Sequence, residues 1–109
     1  MPTFFAVWRF RGTAWNAALP MRQQALWEEH AAFMDALTTR GFVVLGGPLG
    51  PGEEILLVVR ARSGAAVHAR LAADPWNAAG FLVTGRVEPW TILLDGLLDG
   101  RAGPEAPEG

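Results

Sequence analysis

Residues 42–62, FVVLGGPLGPGEEILLVVRAR, are two apolar runs separated by a Gly/Pro-rich stretch, GGPLGPG at 46–52. Short runs of Val, Ile and Leu bounded by glycine and proline form strands, so the segment is predicted to be strand, turn, strand. The glycine-rich stretch has neither the lysine nor the Ser/Thr of a phosphate-binding loop, which makes it a hairpin connection. On its N-terminal side, Gly41 is a helix stop, since glycine takes up the left-handed conformation without penalty. The helix it ends is predicted from Pro20 or Met21 to Arg40, with Pro20 in the first turn. Thr3–Arg11, rich in aromatic residues, is a strand, and the loop GTAWNAALP (12–20) joins it to the helix. Beyond the hairpin, Ser63 is a natural N-cap for a helix over 64–73, and FLVTGRVEPWTILLD from Phe81 is a last strand with Pro89 at an edge or bulge.

The order is β-α-β-β-α-β. It predicts an α+β, ferredoxin-like fold: a four-stranded antiparallel sheet with two helices on one face. The strands are apolar on both sides. Phe4, Ala6, Trp8 and Phe10 oppose Phe5 and Val7; Ile55, Leu57, Val59 and Ala61 oppose Leu56 and Val58. Two helices cover one face only, so the second is expected to be covered by another copy, in a homodimer packed sheet to sheet. The folded domain is expected over 1–98, and the Gly/Pro/Glu-rich tail 99–109 has the composition of disorder.

Composition removes whole classes of chemistry. The chain has 109 residues, a net charge of −2 and nine cations, all arginine and scattered. That argues against nucleic acid as a partner. With no lysine there is no Schiff base; with no cysteine there is no thiolate, disulfide or thiol metal ligand. There is no tyrosine, and the one serine, Ser63, has no base beside it in sequence. His30 and His68 fall on different helices without metal-ligand spacing, so neither a metal nor a cofactor is expected. Arg9 and Arg11 interrupt the N-terminal apolar run, and nothing approaches the roughly 18 apolar residues of a membrane span. A soluble, cytoplasmic protein is the expectation.

Acid–base work therefore falls to histidine and carboxylates. On a helix turning about 100° per residue, Leu26, Phe33 and Leu37 share one side with Trp27 and Met34 at its edge. His30 falls in the middle of that arc. It is either a satisfied core histidine or a general acid–base whose pKa is balanced between burial and a carboxylate. The candidate carboxylate is Asp74, in LAADPWNAAG at 71–80. Asp-Pro is also a good N-cap and first-turn pair for a short turn through Trp76, Asn77 and Ala78, so cap and catalytic partner both stand. Arg22, near the same helix face, is a candidate for an anionic substrate group. Trp15, Trp27, Trp76 and Trp90 are candidates to line a pocket for a flat molecule, and His68 is expected to face solvent.

LPMRQQALWEEHAAFMDAL (19–37), GFVVLGGPLG (41–50), LAADPWNAAGF (71–81) and VEPWTILLDG (87–96), in this order and spacing, resemble the YCII-related family of the dimeric α/β-barrel superfamily. The resemblance covers residues 3 to about 95. It implies a ferredoxin-like subunit paired into a dimer, with a cleft between helices and sheet. It also implies an active-site dyad of a first-helix histidine and the aspartate of an Asp-Pro-aromatic motif, positions held here by His30 and Asp74. The aromatic residue is Trp76, where the family often has Tyr or Phe. Members with assigned activities are lyases or dehalogenases of small, often aromatic, compounds.

Residues and resemblance together lead to the expectation of a cofactor-independent lyase or isomerase. In it His30 shuttles the proton, Asp74 holds the ring, and Arg22 or the Trp15 loop engages substrate. The rival expectation is a non-catalytic dimeric domain that binds a small molecule or serves an accessory role.

Overall fold

Along residues 3–11 buried side chains alternate with half-buried or exposed ones, which sorts them onto the two faces of a sheet. The computed structural model describes residues 3–96; the tail expected from residue 99 lies outside the described residues. In chain order the elements are β1 (Thr3–Arg11), α1 (Trp27–Thr39), β2 (Val43–Leu49), β3 (Glu54–Ala61), α2 (Gly64–Ala72), α3 (Pro75–Ala78) and β4 (Leu82–Pro89). The strands form one sheet in the order β2-β3-β1-β4, each neighbouring pair antiparallel. This is the α+β, ferredoxin-like arrangement. Phe5 and Val7 lie opposite Val59 and Leu57 in register, and this face packs against Leu37, Val67 and Leu71 of the helices to form the core.

The other face is less completely covered. Phe4, Ala6 and Trp8 are half-buried, and Phe10 and Val83 are exposed. Arg60 lies over the Phe4 ring at 5.3 Å and Arg86 over the Trp8 ring at 4.0 Å. Trp90 and Ile92 border this face and bound a hollow with Val44 and Val58. The register of β1 and β4 shifts between Val7 and Arg9, so Gly85 and Arg86 together lie across from Trp8. A Cβ at Gly85 would sit 2.2 Å from the Phe10 ring, so any larger residue there would push that exposed ring aside.

Two local expectations are corrected. The first helix does not run unbroken from residue 20. A 3-10 turn over Met21–Gln23 comes first, and α1 begins only at Trp27. The cause is Gln24, whose buried side chain donates to the carbonyls of Asn16 (2.7 Å) and Leu19 (2.9 Å) and accepts from the Asn16 amide (2.9 Å). It ties the preceding loop to the helix start. The chain then turns at Leu26, the one non-glycine residue at positive φ (+63°) among the described residues, a conformation costing about 1–2 kcal/mol. Leu26 is consequently exposed rather than on the apolar arc. The second correction concerns GGPLGPG. Gly46, Gly47 and Pro48 belong to β2, and the turn is confined to residues 50–53. β2 is an edge strand, where a proline's missing N–H costs no ladder bond.

A close backbone approach fixes α3 against β1. The Gly12 amide donates to Phe81 O at 2.8 Å and the Ala14 amide to Gly80 O at 3.0 Å. A Cβ on Gly12 would lie 2.1 Å from the Gly80 carbonyl oxygen. The segment carrying Asp74 and Trp76 is thereby held close to the end of β1.

Candidate active site

His30 lies in the first turn of α1, its amide donating to Leu26 O at 2.9 Å. Its position on the helix's inward face directs the imidazole toward the sheet. Asp74 lies between α2 and α3 in extended conformation, as expected of the residue before proline. It is the N-cap of α3: Oδ1 accepts from the Trp76 amide at 2.9 Å. The same carboxylate meets His30, whose Nδ1 is 2.9 Å from both Oδ1 and Oδ2. Asp74 thus has the geometry of both a cap and a histidine partner. An ionised carboxylate only accepts, so Nδ1 carries the proton. Nε2 makes no hydrogen bond within the described residues and is the nitrogen left for other work.

A third group joins them that sequence analysis had treated only as an interruption. Arg9 Nη1 donates to Asp74 Oδ2 at 2.9 Å, with both side chains essentially fully buried. The signal was available: Arg9 is two residues beyond Val7 and four beyond Phe5, so strand alternation puts it on the same inward face. Its Nε and Nη2 are buried without a partner, an arrangement that costs about 1–3 kcal/mol per neutral group and more beside a charge. Burial pulls the guanidinium pKa down, against the opposing charge and hydrogen bond of Asp74. Burial alone pushes the Asp74 carboxyl up. The hydrogen bonds from His30 and the Trp76 amide, with the charges of His30 and Arg9, outweigh it and hold the group below the usual aspartate range.

Trp76 orients the imidazole from the side. Its ring stacks on His30 with centroids 4.0 Å apart and planes 11° from parallel, and its Nε1 donates to Ala25 O at 2.7 Å. The bend at Leu26 follows directly on that carbonyl, so the backbone strain sits next to the hydrogen bond that anchors Trp76.

Between α1 and the β2–β3 side of the sheet lies a cavity of about 440 Å³, within the size range of small-molecule sites. Trp27, His30 and Met34 line it from α1, Gly46–Pro48 from β2, and Ile55 and Leu57 from β3, with Arg9 and Trp76 also in the wall. A larger hollow of about 540 Å³ lies elsewhere, ringed by Arg40, Arg60, Arg62 and Arg70. It contains no acid–base pair, and we take the smaller cavity as the candidate site. Of the tryptophans singled out in sequence, Trp27 and Trp76 line that cavity. Trp15 and Trp90 do not: Trp15 packs edge-on against Trp76 at 5.3 Å, beneath the Arg11 guanidinium, and Trp90 bounds the separate hollow with Val44 and Val58. Arg22 is exposed, 5.7 Å over the Trp27 ring, and is not part of the wall. His68 is exposed on α2. Among the described residues no group of three or more His, Asp or Glu is placed to hold a metal ion, and no helix is long and apolar enough to cross a membrane.

A scan against protein-family models found no match, and a search of curated proteins found none. A search of solved structures did. It found 5-chloro-2-hydroxyhydroquinone dehydrochlorinase from Burkholderia phenoliruptrix, determined in complex with 2,5-dihydroxybenzoquinone. The two share 26% sequence identity over 81% of this chain and 93% of that one, with a TM-score of 0.55. The chain shares that enzyme's fold. The likeness supports the dimeric α/β-barrel superfamily and a small-molecule-processing enzyme.

Proposed function

We propose that the protein is a YCII-related, cofactor-independent lyase or isomerase acting on a small, flat organic molecule, with His30 and Asp74 as its acid–base dyad. The observation that carries this reading is the imidazole whose Nδ1 is committed to a buried carboxylate while the ring lines a cavity of about 440 Å³. In an elimination, His30 Nε2 takes a proton from substrate. The electrons released form the new π bond, and the leaving group departs with its bonding pair as an anion. Asp74 stabilises the imidazolium so formed and keeps its tautomer, as a carboxylate does for any catalytic histidine. Trp27 and Trp76 supply flat walls. Arg22 and the Trp15 loop act from outside the cavity, Arg22 against Trp27 and Trp15 against Trp76.

The dehydrochlorinase likeness names the first substrate to test. Chloride release from 5-chloro-2-hydroxyhydroquinone by the wild type, absent in His30→Gln, is the expected result; equal rates in both would reject the dyad. A protein that binds such molecules without turnover would instead be a binding domain.

The partly covered sheet face is proposed to receive a second copy of the chain. Phe4 and Trp8 remain half-buried there with Phe10 exposed, in a fold whose solved relative belongs to a superfamily of paired sheets. Light scattering at micromolar concentration is expected to return twice the chain mass; a stable monomer would contradict the pairing.

A further inference from the structure

We infer that Arg9 is the anchor for a negatively charged oxygen of the ligand, so that the cavity takes up a small molecule whose apolar body ends in a carboxylate, enolate or phenolate group. This rests on the reading of the cavity as a ligand site.

An arginine whose only task was to clamp Asp74 would meet it with both arms of the guanidinium, the geometry that suits a carboxylate best. Here the carboxylate is already occupied. Nδ1 of His30 lies against both of its oxygens, and the Trp76 amide takes Oδ1 as well. Arg9 is left with one nitrogen on Oδ2, while Nε and Nη2 have no partner. The side chain is 1% exposed and forms part of the cavity wall. Across the sheet, Thr84 faces Arg9 in register, and its Oγ1 is also buried without a partner. Thr84 is not part of the cavity wall, so the unpartnered arms of Arg9 alone bear on the ligand.

Charge points the same way. One carboxylate serves both a guanidinium and an imidazole, so the trio carries a net +1 whenever His30 holds its second proton. An anionic ligand restores neutrality in that state. No Asp or Glu lines the cavity among the described residues, so nothing there repels it. The remaining wall is mostly apolar, with Trp27, Ile55 and Leu57 suited to a flat body rather than a second charge. Met34, which also lines the cavity, keeps its sulfur 4.0 Å from Nη1, so a flexible side chain lies against the guanidinium there.

The test compares two probes of the same ring. The hydroxyls of 2,5-dihydroxybenzoquinone are vinylogous acids, ionised near neutral pH, and 2,5-dimethoxybenzoquinone is their neutral counterpart. Titration calorimetry on the wild type is expected to favour the anion by about tenfold to a hundredfold, the size of one or two charge-assisted hydrogen bonds. Arg9→Lys keeps a cation for Asp74 but loses the second arm, and should reduce that preference at least about tenfold. An unchanged preference in Arg9→Lys overturns the assignment. Nitrogen-15 NMR of the wild type needs no variant to fold: the Arg9 Nε–H resonance should move with the anionic probe and not with the neutral one. If both probes shift His30 and Trp27 equally while Arg9 stays still, the anchor is wrong and the ligand site stands. If neither probe shifts His30 or Trp27, the ligand site falls, and the anchor with it.

Discussion

Asp74→Asn is expected to lower folding stability by about 3–5 kcal/mol, the usual loss when one partner of a buried ion pair is removed. Asparagine has nearly the shape of aspartate and still accepts from the Trp76 amide, so little of the loss comes from packing or from the cap. The loss comes from Arg9, whose charge would be left in the core with no counter-charge. A domain of this size has about 5–15 kcal/mol to lose, so the variant should unfold at markedly lower urea concentration, with its denaturant slope unchanged. The comparison must be made at fixed protein concentration, because association adds to apparent stability. The same residue sets an acid limit. Its native pKa lies below the unfolded value, so the unfolded chain binds the proton more readily. Its contribution is therefore fully present above the ordinary aspartate range and is lost as pH falls through the lower native value. Urea midpoints measured from neutral pH downward should show that decline in the wild type and a shallower one in Asp74→Asn.

His30→Gln is expected to lower turnover by about 10²–10⁴-fold, the contribution of a positioned general base, while leaving the fold in place. Asp74 would still hold Arg9 and the Trp76 amide, so the buried charge keeps its counter-charge. What the variant gives up in stability is the stack on Trp76 and one hydrogen bond to a carboxylate, about 2–4 kcal/mol together. Rate, read beside stability, separates the readings. A catalytic histidine loses rate along with that stability. A histidine kept only to satisfy Asp74 loses stability with no rate attached to it. Chloride release from 5-chloro-2-hydroxyhydroquinone, measured beside a urea titration of the same sample, distinguishes them.

The strand pattern was legible because each of its determinants is local. Alternation along β1, the two apolar runs of the hairpin and the Ser63 cap, whose hydroxyl accepts from the Ala66 amide at 3.1 Å, act within a few residues of one another. The start of α1 was not, because the break is imposed by Gln24 reaching back to Asn16 and Leu19, and no periodicity records such a tether. The length of β2 was misjudged for a related reason. Glycine and proline signal a turn by local preference, while an edge position tolerates them inside a strand. At the site, the inward His30 and the Asp-Pro pair were visible in sequence, and the resemblance joined them. Arg9 escaped because a charged residue two positions beyond Val7 looks like the end of an apolar run. Only the presence of a buried carboxylate, contributed from 65 residues away, explains its place in the core.

The central claim is that Asp74 holds the proton on His30 Nδ1 and leaves Nε2 to the cavity. Long-range nitrogen-15 NMR of the His30 ring tests it most directly, with and without 2,5-dihydroxybenzoquinone. The account predicts a ring protonated at Nδ1, whose Nε2 resonance moves as the probe saturates. A ring protonated at Nε2 and not at Nδ1, or one in which neither nitrogen responds to the probe, would contradict it.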